Sequence, residues 1–521
     1  MQLQTPTASV QTTGRLAPVA HPSLWGAALT SLLSFAVYLS TLAPTITLRN
    51  HGADSGDLVT AAINLGVPHP TGYPLYIILS HLMTRLPGGD AAYKVNLLSA
   101  AAAALALGIL FHIIYRRLPT ALSVLLRLLV CSGAVGLFAF GQLLWSQATI
   151  AEVYAFHVLV MVSLLWVIES RHPLRPCLAA LFLALSVGHH LTAALVIPTC
   201  WPFIGDVRRS ATLTRMRRVA VCFVAGLIPY LYIPLRARAN PVPNWGYGDN
   251  WEGILWLVTG APYHSYLRLP ATESLQRFTA WSGIWVRDLG VLGLALALFG
   301  LWDTFGQRTT RAELTYVALV SCYAITYSTS DSYLYLLPVG IVLCCWLAHG
   351  AAQLLGGLQQ WAGTNYRKRL VVGTAALALA MLPLRSLVRH HSAMDLSGDW
   401  EAHTYAQTIL AAAQPGALIL SEGDEQTFAL WYQRYGLGLR ADTSVVDRRL
   451  LAFAWYRRAV SEREASLRSL STATDAQSAL SALIREAGRS RPIQLTAIDE
   501  SLQQSAGWDY ETPLYTLRRG G

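Results

Sequence analysis

Charged side chains are scarce in this sequence. Asp, Glu, Lys and Arg make up 13% of the 521 residues, whereas 53% are hydrophobic and the mean hydropathy is +0.39. A soluble protein carries about a quarter of its residues as charged types. The composition therefore excludes an ordinary soluble protein and predicts a polytopic membrane protein.

Signatures of several common catalytic and metal sites are also missing. The seven cysteines all fall in apolar stretches and never form a CxxC pair, so no thiolate metal site is indicated. The sequence has no glycine-rich phosphate loop, no nucleophile elbow and no motif for ATP or a nucleotide sugar. Any group that the protein transfers must therefore arrive in an already activated substrate.

The basic residues show which side of the membrane each loop occupies. The formal charge is +10, but the basic residues are spread singly or in short runs between apolar stretches, which gives no sign of a nucleic-acid partner. They collect in the loops that begin near Arg116, Arg171, Arg208, Arg308 and Arg367, and the short loops at 144–152, 186–190 and 329–332 have none. The positive-inside rule predicts that the basic loops are cytoplasmic.

Eleven apolar stretches are predicted to span the membrane. They cover roughly residues 24–42, 92–115, 121–143, 153–169, 176–188, 190–204, 218–235, 285–303, 313–328, 333–355 and 370–388. Residues 176–204 fit either a two-helix hairpin or one long span, and the basic run from Arg208 to Arg218 favours the hairpin. An odd number of spans places the amino terminus in the cytoplasm and the carboxyl terminus outside.

The chain divides into three predicted parts. Residues 1–21 are predicted to be a disordered cytoplasmic tail, and residues 22–389 a transmembrane domain with long outer loops at 43–91 and 236–284. From about His390, strand patterns such as GALILSEG, TSVVDRRLL, PIQLTAI and LYTLRRG alternate with helical patterns. Residues 390–521 are therefore predicted to form a small α/β domain outside the membrane, suited to acceptor binding or scaffolding.

The first outer loop carries more polar chemistry than a membrane tether needs. It contains His51, Asp54, Asp57 and His69. If a helix opens at Ser55, the two aspartates lie three residues apart on one face, where neighbouring carboxylates separate their pKa values and one remains a base or cation ligand. The structural alternative is that Asp54 or Ser55 caps the helix and Asp57 favours its dipole.

Further charged and polar residues are predicted to gather at the same side of the membrane. Glu152 begins a span there, Asp331 lies between two spans, and His189 and His190 occupy the turn of the predicted hairpin. Arg236 and Arg238 emerge into the second outer loop, which is rich in tryptophan and tyrosine. Each has a local alternative: helix capping, a satisfied buried pair, headgroup contact or the interfacial aromatic belt. Their convergence suits transfer from a lipid phosphate, with a carboxylate taking the proton of an acceptor hydroxyl and arginines stabilising the departing phosphate.

Several segments resemble a known family. DSGDLVTAAINLGVPHPTGYPL resembles the first-loop motif of membrane glycosyltransferase family 117, in the GT-C superfamily, which includes the transmembrane protein 260 type of protein O-mannosyltransferase. WSQATIAEVYAFH, SVGHHLTAALVIP, YLYIPLRA, NWGYGD and DSYLYLLP extend the resemblance to about residue 340. The sequence departs from the family pattern at Asp57, where Glu is commoner, and at His189, where the pair is usually Asn-His.

The resemblance implies a GT-C fold, a polyprenyl-phosphate-linked sugar as donor and a catalytic carboxylate in the first outer loop. Asp54 would be the catalytic base and Asp57 its catalytic partner. The candidate substrate-binding residues are His51, His69, Tyr73, Glu152, Tyr154, His189, His190, Arg236, Arg238, Trp245, Tyr263, Asp331 and Tyr333. No cofactor is established by the sequence, and a divalent cation is the candidate.

The predicted function is that of an inverting glycosyltransferase in the bacterial inner or another cell membrane. It would move a sugar, with mannose implied by the resemblance, to a hydroxyl of a protein or surface-glycan acceptor on the outer face. A transporter or flippase of a lipid-linked or polar substrate is one alternative, although no inverted repeat is visible. A non-catalytic assembly or sensor protein that binds through its outer domain is the other.

Overall fold

The computed structural model describes residues 22–200, 212–267, 271–498 and 507–518. The predicted tail at 1–21 and the end of the predicted hairpin, 201–204, lie outside these ranges. In the transmembrane region the α-helices are α1 (Pro22–Ser40), α2 (Ser55–Asn64), α3 (Pro74–Thr84), α4 (Ala91–Arg117), α5 (Val124–Ala139), α6 (Gln142–Ala148), α7 (Val153–Glu169), α8 (Arg175–His189), α9 (Leu213–Leu227), α10 (Tyr232–Ala237), α11 (Trp251–Val258), α12 (Ala271–Thr304), α13 (Arg308–Thr326), α14 (Leu337–Ala362) and α15 (Tyr366–Met394).

Six helical segments of the described ranges are long and apolar enough to cross a membrane. A seventh span is formed if α5 and α6, which meet at 65°, count as one. The segments are Pro22–Ser40, Ala91–Arg117, Leu213–Ala237, Thr272–Thr304, Ser332–Ala362 and Tyr366–Met394. Each of the eleven predicted stretches overlaps helical structure, but several of these helices, such as α7 and α8, are shorter than a bilayer crossing. A multi-pass membrane protein is confirmed in outline, and the count of eleven stays a prediction.

Two predicted boundaries differ from the structure. Helix α12 begins at residue 271 instead of 285, so the last part of the predicted second outer loop is helical. Residues 191–200, predicted as the second arm of the hairpin, form a 3-10 helix that contains Pro198.

The bundle packs through close helix contacts at small residues. Helix α1 lies along α4, and α12 lies along α14. In the second pair, a Cβ added at Gly300 would come within 2.0 Å of the Trp346 carbonyl, and one at Gly350 within 2.0 Å of the Leu296 carbonyl. Glycine at these two positions lets the backbones touch, which is how membrane helices associate where burial of apolar surface gives little advantage.

The C-terminal region contains a five-stranded sheet with helices around it. Its helices are α16 (Glu401–Ala412), α17 (Asp424–Trp431), α18 (Ala454–Arg463) and α19 (Ala476–Ser490), and its strands are β1 (Leu418–Ser421), β2 (Ser444–Asp447), β3 (Ile493–Leu495), β4 (Trp508–Glu511) and β5 (Leu514–Leu517). The strand order is β2-β1-β3-β5-β4. Strands β2, β1 and β3 are parallel and fully buried, whereas β5 and β4 add in antiparallel fashion and β4 is exposed. The four predicted strand segments are found, and β4 was missed because WDYE is short and polar.

The sheet region packs directly on the first loop. One hydrophobic cluster fills the helical bundle, and a second joins α2 and α3 to α16, α17 and the strands. A Cβ added at Gly56 in α2 would lie 2.4 Å from the Phe428 carbonyl of α17. The Asn64 side chain also donates to the Tyr435 carbonyl. The shared core fixes the C-terminal region against the loop that carries Asp54.

Candidate functional site

A cavity of about 1180 Å³ lies between the helical bundle and the C-terminal region. Its walls come from the first loop, the start of α7, residues 190–195, 259–267 and 323–335, and the segment 422–426 with Arg449. Ten of the predicted site residues line it: His51, Asp54, His69, Tyr73, Glu152, Tyr154, His190, Tyr263, Asp331 and Tyr333. Segments far apart in the sequence therefore meet in one space, as the charge pattern predicted.

Asp54 presents its carboxylate to this cavity. It stands at the N-cap of α2 but makes no side-chain capping bond, so the simple capping alternative does not describe it. Its side chain is 39% exposed toward the cavity. The preceding Asn50 and His51 adopt left-handed backbone conformations, with φ of 58° and 59°, that non-glycine residues adopt at a cost of about 1–3 kcal/mol. The strained turn aims Asp54 away from its own helix.

Asp57 lies behind the cavity wall, fully buried, where it holds His69. Its Oδ2 accepts hydrogen bonds from the His69 backbone N–H at 2.9 Å and interacts with the ring Nδ1 at 2.8 Å. Its Oδ1 accepts from Trp245 Nε1 at 3.1 Å. The opposite ring atom of His69, Nε2, lies 3.5 Å from Asp54 Oδ2. The histidine thus bridges the two aspartates, and only Asp54 has access to a substrate.

The charges of these three residues are coupled. Burial alone would lower the pKa of His69, but the carboxylates of Asp54 and Asp57 outweigh it and raise that pKa to about 10. His69 is therefore an imidazolium at neutral pH. The enclosed position raises the pKa of Asp54, and the charge of His69 opposes this rise while Asp57 and Asp331 add to it. The positive charge of the imidazolium favours the ionised form of Asp54, which is the form that a general base needs.

A wall of aromatic side chains borders the bundle side of the cavity. Tyr263 stacks near Tyr266 with ring centroids 6.3 Å apart, Tyr266 meets Tyr327 at 6.0 Å, and Tyr327 meets Tyr335 at 5.4 Å. His190 continues this wall, 5.5 Å from Tyr335, with its Nδ1 bonded to Thr192 Oγ1. Ring faces of this kind suit the apolar face of a sugar or an isoprenoid chain.

Asp331 and His51 each have an aromatic neighbour in the cavity. The Tyr154 hydroxyl donates to Asp331 Oδ2 at 3.5 Å, and Asp331 makes no capping bond in the short helix that follows it. His51 meets the edge of Tyr333 with ring centroids 5.6 Å apart. All four side chains line the cavity.

Five predicted site residues do not line the cavity. Asp57 and Trp245 are the buried pair behind it. His189 is buried, with Nε2 bonded to the Val153 carbonyl at 2.9 Å, because its helix points it into the bundle. Arg238 is exposed to solvent at the end of α10. Helix α8 ends at His189, and His190 follows in an extended conformation, so His190 enters the cavity and His189 does not.

Arg236, expected at a phosphate, instead holds the end of α2. Its Nε donates to the Leu65 carbonyl at 2.8 Å and its Nη2 to the Asn64 carbonyl at 3.1 Å. These carbonyls end α2, where a cation offsets the negative end of the helix dipole. The correction concerns its role: Arg236 positions the segment that carries the aspartates.

The sequence reasoning missed the contribution of the C-terminal region. Glu422, Asp424, Glu425, Gln426 and Arg449 line the mouth of the cavity. Withdrawal from bulk water raises the pKa of Asp424 to about 7, and Asp54 and Asp447 add to the rise. The acidic start of DEQTFALW was visible in the sequence, but nothing there places it opposite Asp54.

No group of three or more His, Cys, Asp and Glu side chains is arranged to hold a metal ion in the part of the chain that the structure describes. Asp54, Glu152 and Asp331 all face the cavity and carry oxygen donors of the kind a divalent cation prefers. They are not gathered closely enough to form such a group.

Comparisons with known proteins agree with this architecture. Residues 54–208 match the family model of the protein O-mannosyl-transferase TMEM260 N-terminal domain, and residues 402–479 match TMEM260-associated domain 2. The predicted family resemblance is confirmed. The protein O-mannosyl-transferase TMEM260 of Mus musculus is 26% identical over 474 residues, covering 84% of this chain, and its counterpart in Dictyostelium discoideum is 20% identical over 482 residues, covering 81%. The chain spans 65% and 57% of the lengths of these relatives.

Solved structures show the same fold. ArnT from Cupriavidus metallidurans bound to undecaprenyl phosphate has a TM-score of 0.55 and 11% sequence identity, with 96% of this chain and 98% of ArnT covered. ArnT from the same organism in the apo state has a TM-score of 0.54 and 10% sequence identity, with 94% of this chain and 96% of ArnT covered. The chain therefore shares the fold of ArnT over nearly its full length.

Proposed function

We propose that this protein is a membrane glycosyltransferase of the GT-C type. It moves a sugar from a polyprenyl-phosphate donor to a hydroxyl of a protein or surface-glycan acceptor, with inversion at the sugar carbon. The observation that carries the proposal is the Asp54 carboxylate, free in a large cavity and paired with a histidine that a buried aspartate holds. The TMEM260 relatives and the ArnT fold support the same reaction class.

Asp54 acts as the base of this reaction. The acceptor hydroxyl gives its proton to Asp54 while its oxygen forms a bond to the anomeric carbon of the sugar. The bond from that carbon to the phosphate oxygen breaks, and the electron pair leaves with the polyprenyl phosphate. Because one displacement occurs, the configuration at the sugar carbon inverts. Asp57 and His69 set the orientation and charge of Asp54 and do not touch the acceptor.

The donor and the acceptor enter from different sides. The aromatic wall of Tyr263, Tyr266, Tyr327 and Tyr335 adjoins the bundle, which suits the sugar and the first isoprenoid units of a donor held in the membrane. The mouth at 422–426 opens between the C-terminal region and the first loop, which suits an acceptor arriving in water. The predicted orientation puts this mouth outside the cell, with the amino terminus in the cytoplasm.

Replacing Asp54 by Asn tests the proposal. Membranes containing the protein are incubated with radiolabelled polyprenyl-phosphate sugars, including polyprenyl-phosphate mannose, and the labelled product is identified. The wild type is expected to transfer label with inverted configuration, and Asp54→Asn to lose at least about 100-fold in rate, as expected for a missing general base. The wild type and Asp54→Asn are expected to unfold at the same temperature.

Asp509→Asn is the matched control, because Asp509 lies on the exposed strand β4, where it pairs with Arg518. If Asp54→Asn transferred sugar at the wild-type rate, Asp54 would not be the base of the reaction. Movement of the intact labelled donor across vesicle membranes, without a covalent product, would favour a flippase instead.

A further inference from the structure

Glu152 is the most buried carboxyl group in the cavity. The residue is 2% exposed, and it lines the cavity. It stands at the N-cap of α7, where one oxygen, Oε2, accepts from the Val153 backbone N–H at 3.3 Å. The other oxygen, Oε1, is buried and has no hydrogen-bond partner. Leaving such an atom unpaired costs about 1–3 kcal/mol, so a bound substrate is expected to satisfy it.

Helix capping does not explain this residue. A short side chain such as Ser, Asp or Asn is the favoured cap, and it would use the same backbone N–H. The longer Glu side chain leaves a second oxygen beyond the cap, buried in the wall of the cavity that Glu152 lines. The position is at the beginning of α7, where the bundle meets the cavity.

The charged residues that line the cavity are mostly acidic, which disfavours the binding of a phosphate. Among the described residues, six carboxylic acids line the cavity, but Arg449 is the one Lys or Arg, and its side chain is 70% exposed at the mouth. Arg236 and Arg238 are elsewhere. His69, which also lines the cavity as an imidazolium, is already paired with Asp54 and Asp57. An anionic leaving group therefore needs further hydrogen-bond donors that add no negative charge. A carboxylic acid that keeps its proton is such a donor.

We propose that Glu152 acts as a neutral acid whose Oε1–H donates a hydrogen bond to the phosphate of the lipid-linked donor. This inference rests on the proposed transferase function and names the group that receives the phosphate. Glu152 keeps its proton throughout: the acceptor proton goes to Asp54, and the electron pair of the broken bond goes to the phosphate oxygen that Glu152 contacts.

The surroundings of Glu152 favour the protonated form. The charged groups that act on it are Asp54, His69 and Asp331, and the tyrosines nearby are Tyr73, Tyr76 and Tyr154. Burial raises its pKa well above the usual value, Asp54 adds to the rise, and His69 opposes it. Since two of the three charged neighbours are negative, ionisation of Glu152 would be opposed further.

Binding of sugar-free polyprenyl phosphate tests the inference without any transfer reaction. The purified full-length protein in lipid nanodiscs is titrated with polyprenyl phosphate near neutral pH. Glu152→Ala is expected to weaken binding by about tenfold or more, because a hydrogen bond to a charged group is lost. Glu152→Gln, which is neutral and keeps an N–H donor, is expected to lose at most about threefold. Glu252→Ala is the matched control, because Glu252 is exposed on α11 and lies outside the cavity lining.

The pH dependence gives a second readout. Wild-type binding is expected to weaken as rising pH removes the Glu152 proton, and Glu152→Gln is expected to lack this loss. Should Glu152→Ala fail to fold, Glu152→Asp takes its place. The shorter Asp side chain keeps the carboxylic acid but cannot reach the phosphate, so this variant is expected to bind polyprenyl phosphate more weakly than Glu152→Gln.

Three outcomes would overturn the inference. If Glu152→Gln binds as weakly as Glu152→Ala, a charged carboxylate is required. If Glu152→Ala binds like the wild type while the KM for the sugar-linked donor rises, Glu152 contacts the sugar instead of the phosphate. If the wild type itself does not bind polyprenyl phosphate, the proposed function fails together with the inference, whereas the first two outcomes leave that function standing.

Discussion

Replacing His69 by Gln is expected to raise the pH at which the protein becomes active. The His69 ring carries a positive charge 3.5 Å from the Asp54 carboxylate. At that distance a pair of unit charges interacts by about 1 kcal/mol in water and about 4 kcal/mol in a protein-like medium. Because the Asp54 side chain is 39% exposed, we take a value of about 1–2 kcal/mol, or roughly one pH unit.

The direction of the shift follows from the charges. Asp54 must be ionised to act as a base, so activity rises with pH through its pKa. Burial, Asp57 and Asp331 already raise that pKa, and the imidazolium opposes them. Because the pKa of His69 is about 10, its charge is present throughout an assay from pH 5 to 9. Removing it lets the pKa of Asp54 rise further, and the acidic limb of the rate profile moves to higher pH.

The assay measures initial rates of sugar transfer from a polyprenyl-phosphate donor between pH 5 and 9. His69→Gln is compared with the wild type and with His172→Gln, an exposed histidine in the loop between α7 and α8. Thermal unfolding of all three checks that the fold is intact. An acidic limb that stays in place, or moves to lower pH, would refute the proposed coupling of His69 to Asp54.

Two further predictions concern the supports of the site. Arg236→Ala is expected to lower the unfolding temperature and to slow transfer, because the Asn64 and Leu65 carbonyls lose their hydrogen-bond donor. Polyprenyl-phosphate binding in nanodiscs is expected to change by less than about threefold. A loss of binding as large as that of Glu152→Ala would show that Arg236 contacts the phosphate. Gly56→Ala is expected to reduce transfer by about tenfold or more, because the new methyl group would lie 2.4 Å from the Phe428 carbonyl and push α17 away from α2. Gly373→Ala is the control, because a methyl group there would meet no atom within 4 Å. Equal activities of the two variants would contradict the reasoning.

The sequence was sufficient for the class of protein and for most of the residues in the cavity. Hydropathy predicted the bundle, and every predicted span overlaps helical structure. The charged residues placed at one membrane face, from Asp54 to Glu152 and Asp331, do share one cavity. This worked because a charge near a bilayer is costly and is retained where it has a task.

The individual roles could not be predicted in the same way. Asp54 and Asp57 are three residues apart in one short motif, yet one faces the cavity and the other is sealed behind His69 and Trp245. Two arginines with the right charge for a phosphate lie outside the cavity, and Arg236 donates its hydrogen bonds to carbonyls at the end of α2. Spacing along a chain does not fix the direction in which a side chain points once loops pack against each other.

Sequence alone indicated that the chain crosses a membrane and predicted that its polar chemistry belongs to one side, because the bilayer sorts residues by their cost of transfer from water. The tertiary structure decided that the C-terminal region closes the cavity, that Asp57 holds His69 instead of a substrate, and that Glu152 keeps an unpaired oxygen inside. Those outcomes depend on packing between segments hundreds of residues apart, such as Gly56 against Phe428. No local pattern in the sequence records such a contact.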